Sequence, residues 1–82
     1  MAATLYLVSA GVSADFIFNL PPAIGSGNVG IVKKVDADAH SVQVTPNGTD
    51  TIDGENAAIP IADQWAYVKL CDAQAGAWQL IP

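Results

Sequence analysis

Apolar residues recur along this chain in short runs rich in Val, Ile and aromatics, separated by clusters of Gly, Pro, Asn and Asp. That is the spacing of strands and turns, and it leaves almost no helical period. The pattern predicts strands over about 4–9, 15–20, 29–35, 40–45, 57–61, 64–71 and 77–81. Between them fall Pro21-Pro22 with Gly25-Ser26-Gly27-Asn28, Asp36-Ala37-Asp38, Pro46-Asn47-Gly48, Asp53-Gly54 and Ala75-Gly76. Each supplies a fixed φ or a residue tolerant of positive φ, as turns require. The link over 36–39 reads as a hairpin, and the strand after it alternates: Val42 and Val44 on one face, Ser41, Gln43 and Thr45 on the other.

Other strands are apolar on both sides. Over 64–71, Ala66, Val68 and Leu70 oppose Trp65, Tyr67 and Cys71, with Lys69 alone among the second set. Phe16, Phe18 and Leu20 alternate with Ile17 and Asn19, and Trp78 and Leu80 with Gln79 and Ile81. One face of such a strand finds a home in the core, and the second calls for another sheet or a neighbouring subunit.

The expected architecture is all-β: a small antiparallel β-sandwich or barrel-like module, one domain over 1–82, with 1–10 as an N-terminal arm or edge strand. Eighty-two residues make a single core, and a chain this short buries only roughly 60 to 65% of the surface it exposes when unfolded. Yet 51% of residues are apolar, 13% are charged and the mean hydropathy is +0.33. That is more apolar surface than one small core needs, so the surplus points to a partner interface. Leu5, Phe16, Phe18, Ile31, Val42, Val44, Val68 and Leu70 are the expected core. Trp65, Tyr67 and Trp78 are the expected contacts between subunits.

Several classes of function are disfavoured. Gly11, Ser13, Asp15 and Asn19 interrupt the N-terminal apolar stretch, so no window reaches the roughly 20 continuous apolar residues of a spanning helix. No Lys or Arg precedes those apolar residues, which reads poorly as a secretory signal; Met1 is expected to be a true start, in cytosol. A net charge of −5 with only Lys33, Lys34 and Lys69 as cations works against nucleic acid, whose phosphates demand several Lys or Arg. A lone Cys71 forms no internal disulfide, and with a lone His40 it assembles no structural zinc site.

Chemistry is correspondingly thin. Cys71 and His40 make a conceivable nucleophile and base, but read better as an apolar filler and a solvated turn residue. Carboxylates at Asp36 and Asp38, at Asp50 and Asp53, and at Glu55 would suit glycoside hydrolysis or calcium, but the spacing does not help them: Asp36-Ala37-Asp38 lacks the ligand ladder of a calcium loop, and its acids suit turn capping. Trp65, Tyr67 and Trp78 would make a sugar-stacking platform, although aromatics at alternate strand positions serve more often as core or interface anchors. Asn47-Gly48-Thr49 is a turn that happens to match a glycosylation sequon. No catalytic, metal or cofactor residues are expected, and the chain reads as no enzyme.

The order of segments adds a resemblance. Asp15-Phe-Ile-Phe-Asn-Leu-Pro21, a Gly-rich loop, Ile31-Val-Lys-Lys-Val-Asp36, Ser41-Val-Gln-Val-Thr45, Asn47-Gly48, Thr51-Ile-Asp-Gly54, Trp65-Ala-Tyr-Val-Lys-Leu70 and Ala77-Trp-Gln-Leu-Ile81 together span nearly the whole chain. This series resembles a β-module of tailed-bacteriophage virion proteins. The resemblance implies a structural role on the virion surface, made in the host cytoplasm, with subunits packed as homotrimers about a three-fold axis. It carries nothing catalytic: Leu20, Pro21, Asp36, Ile52, Asp53 and Gly54 fall at strand ends, turns and core, with Ile52 plugging one end. Such modules usually lie inside longer fibre chains, whereas this sequence runs from Met1 to Pro82 with little besides the module. The first expectation is therefore a head decoration or cement protein seated on the major capsid protein or another virion protein. A tail or tail-fibre component is the alternative, with a carbohydrate-binding adhesion module as a further one. Neither nucleic acid nor membrane is an expected partner.

Overall fold

The computed structural model describes residues 3–10 and 14–82. Among these residues eight strands form: β1 (Ala3–Val8), β2 (Phe16–Asn19), β3 (Val29–Lys34), β4 (Val42–Thr45), β5 (Thr51–Ile52), β6 (Ile59–Ile61), β7 (Tyr67–Gln74) and β8 (Ala77–Ile81). They form a five-stranded sheet in the order β1-β3-β7-β8-β5 and a three-stranded sheet in the order β2-β4-β6. The protein is all-β, as the spacing of apolar runs requires. Its sheets are mixed rather than purely antiparallel, because β1–β3, β2–β4 and β5–β8 pair in parallel.

One core lies between the sheets. Val32, Leu70 and Trp78 of the larger sheet meet Val42, Val44 and Ile61 of the smaller, closed by Leu20 and Ile52. Tyr6 and Phe18 join the two layers edge to face, with ring centroids 5.0 Å apart.

The 36–39 link is a crossover between sheets, which corrects the expected hairpin: β3 and β4 lie in different sheets. Its cause is the pair of acids. Asp36 accepts the backbone N–H groups of Ala10 (3.0 Å) and Asp38 (3.3 Å), and Asp38 accepts that of His40 (3.0 Å), so each carboxylate closes a local turn. Beneath them Lys34, fully buried, donates to the carbonyls of Asp36 (2.9 Å) and Asp38 (2.8 Å) and pairs with the Asp36 carboxylate at 3.2 Å. All three ammonium protons thus have acceptors, the condition for burying a lysine.

A second acid organises the opposite loop. Asp72, buried in β7, accepts N–H groups of Ile24 (3.0 Å) and Gly25 (2.8 Å) and the Ser26 hydroxyl (2.7 Å). Burial pushes its carboxyl up, but the Ser26 hydroxyl and the Gly25, Ile24 and Ser26 N–H groups outweigh that and hold it below the ordinary value.

The strand β5 is not among those the apolar runs predict. Thr51 and Ile52 pair with Ala77 and Trp78, and the chain then reverses at Asp53-Gly54, both at positive φ (51° and 86°). Reciprocal bonds between Ile52 and Glu55 close this tight turn, for which Asp-Gly is a favoured pair.

Four residue expectations need correction. Leu5 is 56% exposed, because the register Tyr6↔Val32 and Val8↔Lys34 turns the even-numbered residues of β1 inward. Ile31 is half-buried on the outer face for the same reason, between Leu5 and Lys69. Phe16 shares a row with Val42 and Ile61, but it lies on the edge strand β2 and stays 44% exposed. Trp78, expected between subunits, is only 5% exposed: its ring is part of the core, and its Nε1 donates to the carbonyl of Pro21 at 3.3 Å. Val42, Val44 and Leu70 are fully buried, and Phe18 and Val68 pack against them half-buried.

Candidate interaction surface

Alternation along β1, β3, β7 and β8 sends every second side chain away from the core. The registers align these outward residues into three rows: Ala3, Val29, Cys71, Gln79; then Leu5, Ile31, Lys69, Ile81; then Leu7, Lys33, Tyr67. No described layer covers this face. Of seven large apolar residues exposed among the described ones, Leu5, Leu7, Tyr67 and Trp65 belong to it.

Trp65 reaches the face by an unusual route. The Ala66 N–H bonds the Asp63 carbonyl at 3.1 Å, closing a turn in which Trp65 takes φ 70°. That position normally calls for Gly or Asn, and a bulky side chain there costs about 1–2 kcal/mol. The strain is held by bonds on either side, Trp65 N–H to the Lys34 carbonyl (2.7 Å) and Lys34 N–H to the Ala66 carbonyl (3.0 Å). The result is an indole 58% exposed, with the Lys33 ammonium 5.7 Å from its ring centroid.

The charges are sorted. Lys34 is consumed internally, which leaves Lys33 and Lys69 as the cations of the surface, both on this face. They are diagonal neighbours across β3 and β7, and neither forms an ion pair with a described acid. None of the eight acids occupies the three rows.

Among the described strands the sheet edges are β1 and the two-residue β5 in the larger sheet and β2 and β6 in the smaller. β1 pairs only with β3 and β2 only with β4 among the described strands, and an uncharged edge such as Ala3–Val8 is a template for further pairing. Of the segment 1–10 expected as an arm or edge strand, Ala3–Val8 forms the edge strand β1, and residues 1–2 lie outside the described residues. The opposite edge of the small sheet is blunted by Pro60 in β6.

The reactive residues are dispersed. His40 Nδ1 lies 3.6 Å from the Asp15 carboxylate, while the Cys71 thiol is aimed at the Gly27 carbonyl at 3.8 Å. Asp50 caps Ala23 and Asp53 caps Leu80 through their backbone N–H groups. With Trp78 inside the core, a stacking platform reduces to Trp65 and Tyr67. Among the described residues no helix is long and apolar enough to cross a membrane. Compared with protein-family models, with curated proteins and with solved structures, the chain matches none.

Proposed function

We propose that this chain is a non-enzymatic structural protein of a virion surface, packing as a homotrimer on a capsid shell and stabilising it as a decoration or cement protein. The observation that carries the reading is the outer sheet face, where Leu5, Leu7, Trp65 and Tyr67 stand exposed in a domain whose core is already closed. Removing apolar surface from water is worth about 25 cal/mol per Å2, so covering such a face drives association. A trimer bridging several shell subunits adds its footprints multivalently, and by binding only the assembled shell it stabilises that state by mass action. The placement on a virion rests on the resemblance of the segment order.

Particles assembled without the chain are expected to release their contents at lower temperature than particles carrying it, with added protein restoring the difference. Equal stability would reject the cement role. A second reading, adhesion to carbohydrate, draws on Trp65 and Tyr67 alone. A glycan array that binds the wild type and loses the signal with Trp65→Ala would favour it.

A further inference from the structure

The outer face is apolar and cationic on a molecule of net charge −5; its two lysines are diagonal neighbours with no carboxylate among the rows, and Asp53 lines the depression at the sheet end beside Tyr67 and Lys69. Whatever covers the face brings both apolar area and negative charge. A second copy presenting the same face would stack four ammonium groups in one interface, so a symmetric face-to-face pair is disfavoured. The chain carries a complementary surface elsewhere. On the β2 edge, Ile17 is 60% exposed beside Phe16, and the half-exposed carboxylate of Asp15 adjoins them.

We infer that the Lys33/Lys69 face of one copy docks on the Asp15-Phe16-Ile17 edge of the next, a head-to-tail contact between two different surfaces. Such contacts close into rings when the rotation permits, which deepens the trimer reading above and rests on the association it invokes. Leu5, Leu7 and Tyr67 supply the apolar area on one side and Phe16 and Ile17 on the other. The Asp15 carboxylate, which in its own chain accepts the Ser41 N–H at 2.8 Å and lies 3.6 Å from His40 Nδ1, supplies the negative charge through its half-exposed side.

Two variants test it: Lys33→Glu with Lys69→Glu, which inverts the face, and Ile17→Lys, which disables the edge. Ile17 is exposed and Lys33 and Lys69 are half-buried, so a thermal melt checks that each variant folds. Native mass spectrometry and light scattering then read the assembly. Each variant alone is expected to weaken association at least 10-fold and run near 8.5 kDa. Mixed one to one, they are expected to form a capped dimer of twice that mass, because the intact face of one meets the intact edge of the other. Three results overturn the inference: a wild type that stays monomeric at high concentration, an Ile17→Lys chain that still self-associates while the lysine variant does not, or a mixture that remains monomeric. A shell-stabilising role survives any of these results, with a shell protein covering the face. Conversely, rings that form as described but leave particle stability unchanged sink the cement role and spare this contact.

Discussion

Replacing Trp65 by glycine is expected to leave the isolated domain more stable than replacing it by alanine, the reverse of the usual order. Both substitutions remove the indole and its contact with Lys33, so those losses cancel in the comparison. What remains is the backbone at φ 70°. Glycine takes that conformation freely, whereas alanine pays about 1–2 kcal/mol for its Cβ. Against this stands the greater freedom of glycine in the unfolded chain, worth about 0.4–1 kcal/mol in favour of alanine. The balance is about 0.8 kcal/mol favouring glycine, or roughly 3–6 °C in melting temperature for a domain of this size. Calorimetry or circular dichroism at low micromolar concentration, below any association, reads the difference. An alanine variant as stable as the glycine variant, or more so, would mean that the turn at Asp63–Ala66 relaxes and Trp65 carries no strain.

Lys34→Met keeps the buried stem but strips the carbonyls of Asp36 and Asp38 and the Asp36 carboxylate of their donor. Because Asp36 keeps some contact with water, a loss of about 3 kcal/mol is expected, the low end for breaking a buried pair, read as a lower urea midpoint. Acid should unfold the protein from a flat plateau. The carboxyls of Asp15 (by the Ser41 N–H), Asp36 (by the Ala10 N–H) and Asp72 all lie below 3.8 in the folded state. Their stabilisation is therefore complete above that value and drains away as pH falls through the folded values. Melting temperatures are expected to match at pH 7 and about pH 5 and to drop by about pH 3; an unchanged melt at the lowest pH would contradict the three networks.

Strand positions were legible because turns here use residues with one conformational purpose, such as Asp53-Gly54 and Ala75-Gly76. Facing was legible only where one side of a strand is polar, as in β4, whose Val42 and Val44 are both fully buried. In β3 the same logic misleads. Val29 and Ile31 look like the inward phase and Gly30 and Lys34 like the outward one, yet Gly30, Val32 and Lys34 face the core. The competing terms are non-local: the carbonyls of Asp36 and Asp38 make burial of Lys34 possible, and pairing with β7 opposes Val32 to Val68. Phe16 shows the other limit, since its phase was right and its burial depended on β2 being an edge. The turn at Trp65, which keeps it outside β7, gave no signal, because nothing local marks a tryptophan for positive φ.

The inversion in β3 also bears on function. A strand that buries Lys34 and displays Ile31 and Lys33 satisfies its own core with one charge and exports apolar area to the surface. With the interior closed by the Lys34 and Asp72 networks, nothing in the described fold depends on Leu5, Leu7 or Tyr67 staying at the surface, and a solitary protein would gain solubility by making them polar. Their presence in rows with two lysines that form no ion pair with a described acid, together with an indole held there against a backbone cost, supports the proposal of a surface that a partner covers.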